Sequence, residues 1–519
     1  MADDATIDRP ADPAGLPPDG DGPAHAGAVP AGDDPAATAP VVDGAGDGAM
    51  PPAIDLDLLT EAVPEPAARW EGDRAALLAR AHRAVAAIDV LLGAQLDAVL
   101  HHPAFQRMEA LWRGTAWLAQ SMAGDTGLRL RLLDVRWGEM ARDLERAMDF
   151  DQSVLFEKIY SDEFGTPGGE PYGMIVVDHA IWHRSTTRDR IDDVEVLGGL
   201  AEVAAAAFCP IVVGADPRML GIDDFGDIDL RQDIAGSFTG TEFARYERLR
   251  GRPDTRFLAA AMPRLLMRRP YRGRAMPRLG FVYDERVEDA ADLCWLTGGF
   301  ALAQVAARAM RMHRWPAAIR GALAEDDGGI VAAPERLLLP SDLAGVVARF
   351  PTENAVSEEQ EVALNAAGFV CLRQLHLTGS VAFLNLPTLH RPPDYETEAA
   401  RMNAKMGAML NYILCVARFA HYVKVMARDW VGKYTDETEC ERLLQRWLDR
   451  FVTANEDASP EMRVRYPLRE ARVSIGAIPG RPGSYSCEIA IRPHYQLDQI
   501  ASEFRLTTTV GREGERAAA

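Results

Sequence analysis

The chain has 519 residues, 48% of them apolar and 26% charged, with a formal net charge of -21. A length of this order is divided among several cores, two to four domains. The acid excess argues against nucleic acid or an anionic membrane surface as a partner, because phosphate contacts need surplus Lys and Arg.

Residues 1–53 are almost wholly Ala, Pro, Gly and Asp, and lack the large apolar side chains that offset ordering entropy. They are expected to form a disordered acidic extension. Residues 54–125 read as an N-terminal helical segment. "IDLDLLTEAV" (Ile54–Val63) is either a frayed helix start or a short linear motif for a partner's groove. A long helix is predicted from about Asp73, with Val85, Ile88, Leu92, Leu96 and Val99 on one stripe, and a second helix after Pro103.

Residues 126–395 read as an α/β body with two subdomains. "GMIVVD" and "CPIVVGAD" are buried-strand runs. Between them a helix opens at Asp192, with Glu195 three residues on and Val194, Leu197 and Leu200 inside. Strand, helix and strand at this spacing imply a parallel βαβ unit. "GFVCLRQLHLTGSVAFLN" predicts a hairpin turning at Thr378-Gly379.

Residues 396–519 read as a helical arm and a β-element. A helix is expected from about Glu398 to Asp429. Another starts at Asp436, with Leu443, Leu444, Trp447, Leu448 and Phe451 on one face. Val473, Ile475 and Ala477 alternate with polar residues, "PGRPG" turns the chain, and Tyr485, Cys487, Ile489 and Ile491 alternate back. "EFRLTTTV" supplies one more strand.

Few residues suggest chemistry. Six cysteines (Cys209, Cys294, Cys371, Cys415, Cys440, Cys487) are far apart without CxxC spacing, and read as reduced core residues. His179 and His183 would share a face if helical and could then hold a metal, but no further ligand is evident. Glu163 and Glu170 bracket the glycine-rich stretch "FEKIYSDEFGTPGGEPYG" (Phe156–Gly173) and could divide acid and base roles as glycosidase carboxylates do. The sequence argues against a phosphate cradle, because that loop opens into a strand and no GxxxxGK[ST] occurs. The runs "RRPYRG", "MHRWPAAIRG" and "RFAHYVKVMARDW" combine rings with cations, as seams between domains or a protein interface would. No basic-then-apolar leader and no apolar run of about 18 residues is present, so a cytoplasmic location is expected.

Five blocks in order, "HHPAFQRMEALWRG", "FDQSVLFEKIYSDEFGTPGGEPYG", "MPRLLMRRPY", "ARFAHYVKVMARDW" and "PGRPGSYSCEIAIRPHYQLDQI", resemble the large contractile-sheath subunit of type VI secretion systems. This is the TssC/VipB family, also called ImpC/EvpB. The resemblance runs from about Leu92 to Val510 and implies a two-domain α/β sheath protomer like those of contractile phage tails. It implies no catalysis, cofactor or metal. The implied partners are a TssB/VipA-like small sheath subunit, further copies in hexameric rings, an Hcp-like inner tube, a baseplate and a ClpV-type ATPase. "IDLDLLTEAV" matches poorly the helix that ClpV engages. In the family the terminal β-element accepts strands from neighbouring small subunits, which assigns partner binding here to Arg472, Val473, Ile475, Tyr485, Cys487, Ile489, Ile491, Phe504 and Leu506. The glycine loop then becomes structural, with Gly165, Gly168 and Gly169 supplying backbone angles closed to other residues. A related contractile injection particle or phage tail is the alternative within assembly proteins. A hydrolase using Glu163 and Glu170 is the alternative from another class.

Overall fold

The computed structural model describes residues 74–166, 168–185, 191–230, 233–273, 281–316, 318–322, 328–336, 350–375, 379–430, 437–453, 455, 460–477, 485–494 and 504–510. The acidic extension, "IDLDLLTEAV", Thr378 and the "PGRPG" turn lie outside the described residues.

Helix α1 (Arg74–Leu100) and α2 (Pro103–Met122) meet at an angle of 73°, where Pro103 opens the second helix. The stripe foreseen on α1 exists, but it faces solvent. Val85, Ile88, Leu92, Leu96 and Val99 are all exposed, and no described residue of the helix is buried. Its C-terminal end is tied to the body, where the Tyr283 hydroxyl donates to Asp97 and the His101 ring lies 3.1 Å from Glu285. α2 instead buries Ala110, Gly114, Thr115 and Leu118.

After α3 (Trp137–Arg146) comes β1 (Ile175–Ile181), then α4 (Asp193–Ala207) and β2 (Ile211–Ala215). Asp192 caps α4, its carboxylate accepting from the Val194 and Glu195 N–H groups. β1 and β2 pair in parallel, Ile175 opposite Ile211. β3 (Leu258–Met262), preceded by α5 (Ala244–Arg250), extends the parallel sheet. Next come β4 (Leu265–Arg268), β5 (Cys294–Leu296), α6 (Gly299–His313), α7 (Glu358–Ala366), β6 (Phe369–Gln374) and β7 (Val381–Phe383). The main sheet has the order β1-β2-β3-β6-β7, with β7 antiparallel to β6 as the foreseen hairpin requires.

Alternation along these strands divides the core. Ile211, Val213, Leu258, Ala260, Phe369 and Cys371 face α4, α5 and α7 on one side. Val212, Ala259, Ala261, Val370 and Leu372 face α6 on the other. Helices on both faces of a mostly parallel sheet make a three-layer α/β body.

The single helix expected from Glu398 to Asp429 is two. α8 (Glu398–Met406) ends at Gly407, and α9 (Leu410–Trp430) begins after a bend. The interruption joins the chain to a neighbouring segment: Thr388 N–H donates to Ala408 O at 2.8 Å, and Leu410 N–H to Leu386 O at 2.8 Å. Gly407 is the weakest helix former in the stretch, so the break falls there. α10 (Glu437–Leu448) leads to β8 (Leu468–Ala477), β9 (Tyr485–Pro493) and β10 (Phe504–Val510), which form a separate antiparallel sheet ordered β10-β9-β8. Its core joins Leu444, Leu448 and Phe451 to Cys487, Ile489, Ile491 and, from α9, Val416, Phe419 and Val423.

Candidate functional site

The glycine-rich stretch is mostly helical before its glycines. A π-helical turn, Glu157–Ser161, stands between two short α-turns and stacks Phe156 on Tyr160 with ring centroids 4.9 Å apart. The glycines then serve two needs, which corrects the uniform role expected of them. Gly168 has φ +84°, a left-handed conformation. Gly165 is right-handed, and its need is space, since a Cβ there would lie 2.7 Å from the Ser161 carbonyl oxygen. At Gly169 a Cβ would lie 2.2 Å from the Glu163 carbonyl oxygen.

Glu163 is buried and ion-paired with Arg131, and it accepts the Glu170 N–H at 2.7 Å. Glu170 pairs with Arg129 and lies 3.5 Å from Arg131. Arg131 also donates to the Tyr172 hydroxyl at 3.1 Å. Both carboxylates are thus engaged in closing the loop, which argues against the hydrolase alternative. From the other side α9 holds the same loop. Arg428 donates to Thr166 O at 3.0 Å, and Lys424 sits 3.4 Å from the Tyr160 hydroxyl while donating to Ala206 O at 3.3 Å. A cation on the last carbonyls of α4 also complements that helix's dipole.

The histidine pair does not share a helix. His179 lies within β1, stacked on Trp137 at 4.0 Å and 3.2 Å from Asp193. His183 follows the strand and stacks on Phe243 at 3.9 Å, where burial and the neighbouring Arg184 hold its pKa down near about 4. Extended chain sets residues four apart about 13 Å from each other, where a helix would have stacked them one turn apart. Among the described residues no group of three or more His, Cys, Asp or Glu is placed to hold a metal. The cysteines are all thiols, five of them buried, and burial pushes Cys294 and Cys415 up to about 12.

The aromatic and arginine runs turn inward in part, while Arg269, Tyr271, Met312 and Arg314 stay exposed. Arg268 is buried against Glu285 and Glu109 and lies over the Tyr271 ring. Trp315 stacks on Phe419 at 4.5 Å and meets Phe451 edge-on at 5.1 Å. Arg418 covers the rings of both Trp315 and Tyr422. These buried members form seams between cores.

The terminal sheet contains every residue assigned to partner binding, but in three different situations. β9 is the central strand, paired residue by residue with β8 and β10, as in Ile489 with Val473 and with Leu506. Its ladder is satisfied within the chain, and Cys487, Ile489 and Ile491 point into the core; with Tyr485 they belong to a strand that has no free edge. On β8 the outward N–H groups of Val473 and Ile475 donate to Gln445 and Glu441 of α10, at 2.9 and 3.0 Å. Arg472 is exposed and pairs with Glu470. β10, with Phe504 and Leu506, is the other end of the sheet, and among the described residues no strand pairs with its outer edge.

The structure thus joins a three-layer α/β body by a helical arm to a small three-stranded sheet, and the comparisons give its class. Residues 82–390 match the EvpB/VC_A0108 tail sheath N-terminal domain, and residues 399–510 match the tail sheath gpW/gp25-like domain of the same family. The chain belongs to the VipB/EvpB family of type VI secretion system tail sheath proteins. It is similar to the type VI secretion system sheath protein TssC1 of Pseudomonas aeruginosa, with 33% identity over 429 residues, 82% of this chain and 84% of that one. Solved structures overlap it more loosely. The anti-feeding prophage baseplate does so at 10% identity over 70% of this chain and 76% of that one, with a TM-score of 0.30. The contracted anti-feeding prophage helical sheath does so at 12% identity over 60% and 65%, again with a TM-score of 0.30. Overlaps of that quality add nothing to the sequence match. The family is one of structural sheath proteins. Among the described residues no single helix is long and apolar enough to cross a membrane.

Proposed function

We propose that this sheath protein builds its lattice by strand exchange with a small TssB/VipA-like subunit, in hexameric rings around an Hcp-like inner tube and above a baseplate. Contraction of that lattice propels the tube, and a ClpV-type ATPase recycles the spent sheath. The observation that supports strand exchange is the terminal sheet itself, a three-stranded element outside the α/β body in which, among the described residues, no strand pairs beyond β10. An open edge offers a row of unpaired N–H and C=O groups, and strand addition through them fixes partners by main-chain hydrogen bonds. Phe504 and Leu506 lie on that edge strand. Arg472, Val473 and Ile475 lie at the opposite end, and Tyr485, Cys487, Ile489 and Ile491 form the middle that holds both in register. The exposed stripe on α1 offers a second surface for the small subunit.

The test is co-expression with the small sheath subunit followed by negative-stain microscopy. Tubules that disappear when residues 504–510 are deleted, while the body remains folded, are the expected result. Tubules that persist after this deletion would remove the strand-exchange reading.

A further inference from the structure

The outer edge of β8 presents ladder groups over much of its length, yet side chains already occupy them. The Gln445 Nε2 donates to Ala471 O at 2.9 Å, and its Oε1 accepts the Val473 N–H at 2.9 Å. One carboxamide therefore supplies both the donor and the acceptor that a neighbouring strand would offer on either side of Arg472. Glu441 takes the next outward N–H, that of Ile475, and Thr453 N–H donates to Leu468 O at 2.9 Å near the start of the strand.

The surrogate is held in place rather than loosely draped. Glu441 and Gln445 are one turn apart on α10, so both face β8. Gln445 Nε2 is also tethered to Asp449 at 2.8 Å, and the helix is anchored by Leu444 and Leu448, buried in the same core as β9.

We propose that α10 is an edge seal: its Glu441 and Gln445 side chains mimic an adjacent strand and deny the outer edge of β8 to any extended polypeptide. The occupant most directly excluded is β8 of a second copy, whose identical alternation would let two chains pair edge to edge. Sealing one end makes the sheet a one-ended acceptor that grows only beyond β10. The seal rests on the geometry of α10 and β8; only its use, in giving strand addition a single direction, rests on the strand-exchange reading.

The test uses the full chain, wild type and two variants, with a fluorescein-labelled peptide of residues 468–477 (LREARVSIGA) as the probe strand. Gln445→Met keeps length and helix preference but removes both hydrogen-bonding atoms. Gln445→Glu keeps the acceptor toward Val473 and removes the donor toward Ala471. Anisotropy is expected to show no saturable binding to wild type, clear binding to Gln445→Met and weaker binding to Gln445→Glu. Amide exchange at Val473 is expected to become about tenfold faster in Gln445→Met alone, with β9 amides still protected. Equal binding by all three proteins would overturn the proposal, as would a Met variant with unchanged exchange and no binding. Loss of protection throughout the sheet in that variant would also overturn it, since Gln445 would then hold the fold rather than its edge. Tubule formation with the small subunit is scored separately: an intact seal without tubules counts against strand exchange and leaves the seal standing.

Discussion

The His421 ring lies 3.0 Å from the carbonyl oxygen of Ala207, so α9 is fastened to the C-terminal end of α4 by a buried imidazole. A carbonyl can only accept, which assigns the proton to Nε2. Burial lowers the pKa of this histidine to about 4, the Ala207 carbonyl partly opposes that, and Lys424 and Arg418 add to it. Phe164, 5.5 Å away edge-on, closes the remaining side.

Stability should therefore depend on acid in a definite sense. The folded pKa lies below the ordinary histidine value, so the unfolded chain binds the proton first as pH falls. The contribution is complete above about pH 6.5 and is lost as pH falls toward about 4, amounting to about 3 kcal/mol for this displacement. His183, lowered to about 4 chiefly by burial, acts in the same direction. Denaturation midpoints between pH 7 and 4.5 should fall less steeply for His421→Gln than for wild type. Equal slopes would remove His421 from the account.

The glycine loop should tolerate a methyl group differently at each position. Gly168→Ala places a side chain at positive φ with open space around it, and should cost about 1–2 kcal/mol. Gly169→Ala meets the Glu163 backbone, which must move and disturb the Glu170 N–H bond to the Glu163 carboxylate, so a loss of roughly 1–3 kcal/mol or more is expected. Thermal melts should rank Gly169→Ala below Gly168→Ala.

Glu285 is the most heavily engaged carboxylate in the α/β body. It receives Arg268 through both terminal nitrogens and the Tyr271 N–H at 2.9 Å, and the pair is almost fully enclosed. Glu285→Ala leaves the buried Arg268 guanidinium with Glu109 as its remaining carboxylate among the described residues, and should destabilise by roughly 3–5 kcal/mol. Because Glu285 also meets the His101 ring, proteolysis near the α1–α2 junction should accelerate in this variant.

Deletion of residues 1–53 should leave sheath assembly with the small subunit intact, since the two family domains begin only at residue 82. Absence of tubules from the truncated protein, under conditions where the full chain forms them, would give the acidic extension a structural role.

Local signals made part of this molecule readable. The Asp192 cap, the apolar runs of β1 and β2 and the alternation of β8 and β9 all act within a few residues, and the structure has them in place. β3 was not foreseen, because Ala259, Ala260 and Ala261 are poor strand formers and only burial on both faces selects an extended chain there. The stripe on α1 was legible as a period, but its exposure was not, since periodicity reports an apolar face and not what covers it. The Gln445 surrogate strand was invisible for a similar reason. Nothing local distinguishes it from any other helical glutamine until β8 lies beside it.

The anchoring of α1 has a mechanical meaning. Its 27 residues make a rod about 40 Å long, clamped at one end by Asp97 and His101 and unburied along the rest. Those contacts tie the helix end to one small cluster, Tyr283, Glu285 and Arg268, at the margin of the body, so a force carried along α1 reaches the body there. A partner seated on the exposed stripe of α1 would thus pull on the body at the Tyr283–Glu285 cluster.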